Sequence, residues 1–158
     1  MPLTFQRKVD IVTDYLDKIG SLDIDGAGEH LADDAVMMVP FAPSPEDVPP
    51  LEGKQALLYQ MRGVILPVFV RMEFFVDEWY DVSDSDALIA EYHSVCPLKG
   101  PQGKVGEYRN SYVGVFRFAE DKISAADHRS DGRPGAELGA SARWHRQATV
   151  TDPVAHWA

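Results

Sequence analysis

Two side chains able to move protons, Glu91 and His93, stand two apart in the segment 87–96. On an extended strand such a pair shares one face, because successive side chains alternate sides. A carboxylate beside an imidazole in an apolar pocket is general acid–base equipment, since burial and pairing move both titrations toward neutrality. On a wetted face the same pair is a solvated surface, or a hydrogen-bonded couple without turnover. Register decides between them. If Cys96 opposes Val105 across the Gly/Pro loop 97–104, Glu91 faces Asn110 and His93 faces Tyr108, inside a cavity. A one-residue slip sends both outside.

His128 shares parity with Lys122, Ala126 and Ser130. A three-residue turn at Ala119-Glu120-Asp121 places it opposite Tyr112, on the pocket side. A four-residue turn exposes it and turns Asp127 and Arg129 inward. Its bland reading is a histidine satisfied by a tyrosine hydroxyl. Tyr15 could donate its phenolic proton to a carbonyl or a developing oxyanion. More often such a tyrosine is only an amphipathic core residue with its hydroxyl bonded at the edge. The five histidines lack metal-ligand spacing, and Cys96 is the only cysteine, so neither a metal site nor a disulfide is expected. Gly26-Ala-Gly28 is too short for a phosphate loop, the acidic stretch 81–86 lacks calcium-loop spacing, and no cofactor is expected.

These groups converge on residues 107–123, EYRNSYVGVFRFAEDKI, which alternate and then turn into a second alternating segment. The even face is Tyr108, Asn110, Tyr112, Gly114, Phe116 and Phe118: aromatic walls, one gap and a single amide. That pattern fits a strand lining a small-molecule pocket, with Asn110 orienting a ligand or holding Glu91. Trp79, Phe75 and Met61 read most simply as core. Trp79 and Met61 join Tyr108, Asn110, Tyr112 and Phe116 as expected ligand contacts.

The elements that must position these residues follow from periodicity. Phe5, Val9, Val12, Leu16 and Ile19 step by three and four, the stripe of an amphipathic helix capped by Thr4 and stopped at Gly20. Tyr15 lies at the stripe's edge. A short helix is predicted over 24–31 and a strand over 34–39, running into Pro40. The segment 41–50 holds four prolines and reads as an irregular loop. Helical spacing resumes over 53–63, with Pro67 as a breaker, and strands are predicted over 69–80 and 87–96 before the last two. Helix, helix, strand, helix and then four strands in an antiparallel meander make an α+β architecture: a curved sheet wrapped around N-terminal helices, with a cavity between the layers. Residues 132–158 carry weak periodicity and end among Trp144, His145, His156 and Trp157. They read as a tail packing over the pocket mouth or a partner subunit.

At 158 residues, with 45% hydrophobic and 25% charged side chains, the chain fits one globular domain. With 25 acidic residues against 15 basic ones the net charge is −10, a field that repels phosphate backbones and anionic lipid. Nucleic acid and membrane are therefore not expected as partners. The charged first ten residues and the seven-residue length of the longest apolar run, 64–70, make a cytoplasmic setting the expectation.

The order of elements resembles the cone-shaped fold shared by nuclear transport factor two, ketosteroid isomerase, scytalone dehydratase, limonene epoxide hydrolase and the SnoaL-like polyketide cyclases. The residues carrying it are Tyr15 followed by Leu31-Ala-Asp-Asp-Ala35, then Leu51-Glu-Gly-Lys, then Tyr108-Arg-Asn-Ser-Tyr with Val115-Phe-Arg-Phe and Asp121-Lys-Ile. The last is similar to the SnoaL-like signature, nearest the branch with the phenazine-biosynthesis A/B proteins. It spans residues 5–131 and implies a pocket domain over 1–131. The comparison also favours His128 inside the pocket, and it implies a homodimer through the sheet's outer face, where parity puts Arg109, Val113 and Val115.

The departures are specific. Val39 and Gly114 stand where ketosteroid isomerases carry their two acidic groups, and Tyr15 alone matches that catalytic set. The acid that activates the nucleophile in limonene epoxide hydrolase would fall at or beside His128. The resemblance thus implies a cofactor-free lyase, isomerase or cyclase acting on a small, mostly apolar molecule bearing a carbonyl or hydroxyl. Tyr15 would polarise the oxygen, His93 or His128 would move the proton, and Glu91 and Asn110 would orient them. A non-catalytic small-molecule binder or accessory subunit of the same fold is the alternative.

Overall fold

The computed structural model describes residues 2–38, 50–100 and 106–129, the side chains of His128 and Arg129 excepted. Helix α1, Phe5–Gly20, opens on Thr4, whose side chain accepts from the Arg7 N–H, and buries Ile11, Val12, Tyr15, Leu16 and Ile19. Its last residue touches the start of strand β3 (Glu73–Asp81): Met72 N donates to Gly20 O at 3.0 Å. A Cβ at Gly20 would stand 2.6 Å from the Met72 carbonyl oxygen, so glycine permits that approach. Helix α2, Ile24–Gly28, is capped by Asp23 and ends before the predicted boundary, because strand β1 already begins at Leu31.

Strand β1 covers Leu31–Met38, and a two-residue strand β2, Leu51–Glu52, pairs with it. The sequence reading did not include β2. Helix α3 runs Lys54–Val68 and carries Pro67 in its last turn, where a breaker had been expected to end the helix sooner. The ring's missing N–H would have bonded the carbonyl of Gly63, an exposed residue whose carbonyl can be solvated instead. Val70, expected on the inward row of the strand before Tyr80, is exposed, whereas Met72, Phe74 and Val76 pack on the core.

The sheet has the order β2-β1-β6-β5-β4-β3, with β4 spanning Ala87–Pro97, β5 Glu107–Ala119 and β6 Lys122–Arg129. Strands β3 to β6 form the expected antiparallel meander, and β1 adds to β6 in parallel, which periodicity did not reveal. Helix α1 lies against β3 and β4, and α3 against β1 and β2, so the helices sit on one face of a curved, unclosed sheet. One core cluster joins α1, α2, α3 and most of the inner row of the sheet, and Phe69, Cys96 and Tyr108 form a second.

The β4–β5 register departs from the one that would have placed Glu91 and His93 in the cavity. Cys96 pairs with Tyr108 rather than Val105, an odd shift that exchanges the faces. Glu91 therefore pairs with Val113 and His93 with Ser111 on the outer face, while Leu88, Ala90, Tyr92, Ser94 and Cys96 are buried. The cause is energetic: turning the even row inward buries aliphatic, aromatic and small side chains, whereas the odd row would desolvate a carboxylate and an imidazole.

At the β5–β6 turn, Ala119 pairs with Lys122, with a register shift between Arg117 and Phe118. His128 consequently pairs with Gly114 rather than Tyr112. Residues 132–158, predicted as a packing tail, and Val39 lie outside the described residues.

Candidate functional site on the inner face of the sheet

The inner rows of β4 and β5 bring a chain of polar groups together. Ser94 pairs with Asn110, Tyr92 with Tyr112 and Cys96 with Tyr108. The Asn110 amide is oriented from both ends: its Oδ1 accepts from the Ser111 N–H at 2.9 Å, and its Nδ2 donates to Tyr108 Oη at 2.8 Å. Tyr112 Oη and Ser94 Oγ stand 3.0 Å apart. Tyr108 and Tyr112 each shift the other's phenol, and Ser94 lowers the Cys96 thiol.

Aromatic packing holds the tyrosines. Tyr92 stacks on Tyr112 with centroids 4.8 Å apart, and Phe74 meets Tyr92 edge-on at 6.1 Å. Gly114 makes room for this arrangement: a Cβ there would stand 2.8 Å from Phe116 and 3.0 Å from Tyr92. The gap read from the sequence is thus filled by neighbouring rings.

Tyr15 joins the same core cluster as Tyr92 from α1. It is 0% exposed, and among the described residues its hydroxyl is the one buried side-chain polar atom without a hydrogen-bond partner. Burial holds the phenols of Tyr15, Tyr92 and Tyr108 above the ordinary tyrosine range. Burial also pushes Tyr112 up to about 12, against the lowering effect of its hydrogen bonds, and Cys96 up to about 11. These groups are neutral hydrogen-bond donors at ordinary pH.

The other expected contacts are distributed around them. Phe116 and Met61 are buried, and Trp79 is half-buried opposite Ala90, packed on the same core. Phe75, read as core, is exposed on the outer face and stacks on His93 at 5.1 Å. His93 Nδ1 lies 2.9 Å from Asp77 Oδ2. Glu91 is exposed, and its charge and that of Glu78 add to desolvation in raising the Tyr80 phenol. The structure thus puts Tyr108, Asn110, Tyr112 and Phe116 on one inner row, with Tyr15 in the core cluster that holds Phe116, and separates Glu91 and His93 from them.

Sequence reasoning missed Tyr92, Ser94 and Phe74. The signal for the first two was the even row of 87–96, where leucine, alanine, tyrosine, serine and cysteine succeed one another without a charge. Among the described residues the inner rows of β4 and β5 carry no ionised side chain, and no group of three His, Cys, Asp or Glu converges as metal ligands would. An open surface depression of about 670 Å³, lined by Glu29, Leu31, Asp33, Lys54, Glu120 and Lys122 among others, shares no residue with this cluster.

Set against known proteins, the pattern is matched by the SnoaL-like domain over residues 12–126. The chain belongs to the SnoaL-like family. That match spans the site from Tyr15 to Phe116 and stops short of His128. No curated protein matches the chain.

Solved structures share the SnoaL-like fold at low identity. A candidate isomerase from Bacillus subtilis is similar at 20% identity and TM-score 0.69, covering 81% of this chain and 88% of its own. A phenazine biosynthesis-related protein from Pseudomonas aeruginosa gives 14% identity and TM-score 0.67, with 85% and 92% covered. An epoxide hydrolase from M. tuberculosis gives 16% identity and TM-score 0.62, with 80% and 84% covered. At these identities the likeness shows the fold.

Proposed function

We propose that this SnoaL-like protein is a cofactor-free enzyme of the lyase, isomerase or cyclase type, acting by general acid–base catalysis. Its substrate is a small, mostly apolar molecule bearing a carbonyl or hydroxyl. The observation that carries this reading is the Tyr15 hydroxyl, buried beside a face of satisfied hydroxyls and itself without a partner among the described residues. An unpaired buried donor costs stability, and a ligand oxygen that accepts its proton recovers that cost. Tyr15 then polarises the oxygen and His128 moves the proton. Asn110, Tyr108, Tyr112, Phe116, Trp79 and Met61 shape the apolar contact.

Glu91 and His93 have no part in this scheme, since their register puts them outside; with Val113 and Val115 they belong to the face proposed to meet a second subunit. A non-catalytic binder remains the second reading, favoured by the absence of any ionised group on the described inner rows.

The test is turnover across a panel of small aromatic and alicyclic ketones and alcohols. Tyr15→Phe and His128→Ala are each expected to lower kcat at least about tenfold, within the range of a lost acid–base group. His93→Ala is expected to leave kcat unchanged. Full activity in both Tyr15→Phe and His128→Ala would sink the scheme. Saturable binding without turnover of any panel member would favour the binder.

A further inference from the structure

Tyr15 is completely buried, so the first polar group a ligand meets must be another. Along the inner rows of β4 and β5, Tyr92, Ser94, Cys96, Tyr108, Asn110, Gly114 and Phe116 are all buried, whereas Tyr112 between them keeps partial exposure. Its hydroxyl also ends a directed chain. The Ser111 N–H fixes the Asn110 amide, so Nδ2 and not Oδ1 points at Tyr108. Tyr108 Oη therefore accepts there, and its own proton is free to go to Tyr112.

Resting on the ligand-binding reading above, we infer that Tyr112 is a second hydrogen-bond donor to the ligand's neutral oxygen, beside Tyr15, and that Ser94, Tyr108 and Asn110 position and strengthen it. A hydroxyl whose oxygen accepts from another hydroxyl is a better donor, because each bond polarises the next. Ser94 supplies the freedom the exchange needs. Without ligand, Tyr112 Oη and Ser94 Oγ share one hydrogen bond in which either hydroxyl can donate. With ligand, the Ser94 hydroxyl rotates to donate to Tyr112 Oη, and the Tyr112 proton swings to the ligand. Two hydroxyl rotations accomplish this, and Ser94, Tyr108, Asn110 and Tyr112 each keep a partner. The inner rows carry neutral donors only, which selects uncharged carbonyl or phenol oxygens over carboxylates.

The probe is acetophenone carrying a ¹³C carbonyl, its stretching band read by infrared spectroscopy on the full chain, with affinity from titration. Bound to the parent protein, the band moves to lower wavenumber than in cyclohexane. In Tyr112→Phe, which keeps the ring stacked on Tyr92, a distinct share of that displacement disappears and binding weakens roughly three- to tenfold, the effect of one neutral hydrogen bond. Ser94→Ala and Asn110→Ala each remove part of the displacement while acetophenone still binds, which a merely structural role would not produce. Benzoate binds at least about tenfold more weakly than acetophenone, as an unpaired charge in this setting requires.

A band unmoved by Tyr112→Phe but restored to its cyclohexane position by Tyr15→Phe would overturn the assignment and leave the ligand-binding reading standing. Absence of saturable binding of both acetophenone and 2-naphthol to the parent protein would overturn both. Should Tyr112→Phe fail to fold, the Ser94→Ala band decides: an unchanged displacement there overturns the relay.

Discussion

Tyr15 and Gly114 are the residues whose chemistry is most exposed to test. The hydroxyl of Tyr15 is buried without a described partner, so removing it should help the fold while harming the function. Tyr15→Phe is expected to raise unfolding free energy by about 1 kcal/mol in urea titration, the penalty of one unsatisfied hydroxyl, even as turnover falls. A destabilised Tyr15→Phe would mean that the hydroxyl is bonded in solution. Gly114→Ala should cost about 1–3 kcal/mol, because its new methyl meets the Phe116 and Tyr92 rings inside a packed core. At this scale the sequence was legible for Tyr108, Asn110, Tyr112 and Phe116, whose parity on one strand needed no partner to define it. It was not legible for Glu91 and His93. Their side of the sheet depended on which residue of the next strand lay opposite.

Among the elements, the turn end of the β3–β4 hairpin is clamped to α1 by Lys8. Lys8 is 3% exposed, and its ammonium donates to Asp81 Oδ1 at 2.9 Å, Ser85 O at 2.8 Å and Ala87 O at 3.2 Å. All three donors are used, so the buried charge is compensated. Lys8→Met should cost about 2–3 kcal/mol, less than a fully buried pair because Asp81 is partly solvated. Amide hydrogen exchange should quicken in residues 81–87 more than in β5 if the clamp acts locally. Uniform quickening would show instead that Lys8 supports the whole fold.

The long strands and α1 were readable because each carries its own period. α3 ran past its expected end because Pro67 sits in the final turn, where a lost N–H is inexpensive. Strand β2 escaped because two residues carry no period at all.

For the molecule as a whole, the tyrosine-rich interior sets the response to alkali. Burial raises the phenols of Tyr15, Tyr92, Tyr108 and Tyr112 above 10.0 and the Cys96 thiol above 9.0. A raised value in the folded state means that the protonated form is favoured there. The stability this contributes is complete below the unfolded-state values and is lost as pH rises through the folded ones, about 11 for Cys96 and about 12 for Tyr112. Unfolding free energy should therefore fall steadily above about pH 9–10, and Tyr112→Phe should make the fall shallower by one proton's slope. An identical slope in the variant would show that Tyr112 titrates normally.

The sequence by itself determined the α+β class, the meander, the amphipathic face of α1 and the aromatic inner row of β5, because alternation and helical spacing are local properties of the chain. Only the tertiary structure decided the offset between β4 and β5, the parallel docking of β1 on β6 and the assembly of Ser94, Asn110, Tyr108 and Tyr112 into one network. The physical reason is that a period of two is unchanged by sliding one strand along another. The offset is chosen by what the whole sheet buries, and here burying Tyr92, Ser94 and Cys96 cost less than burying Glu91 and His93.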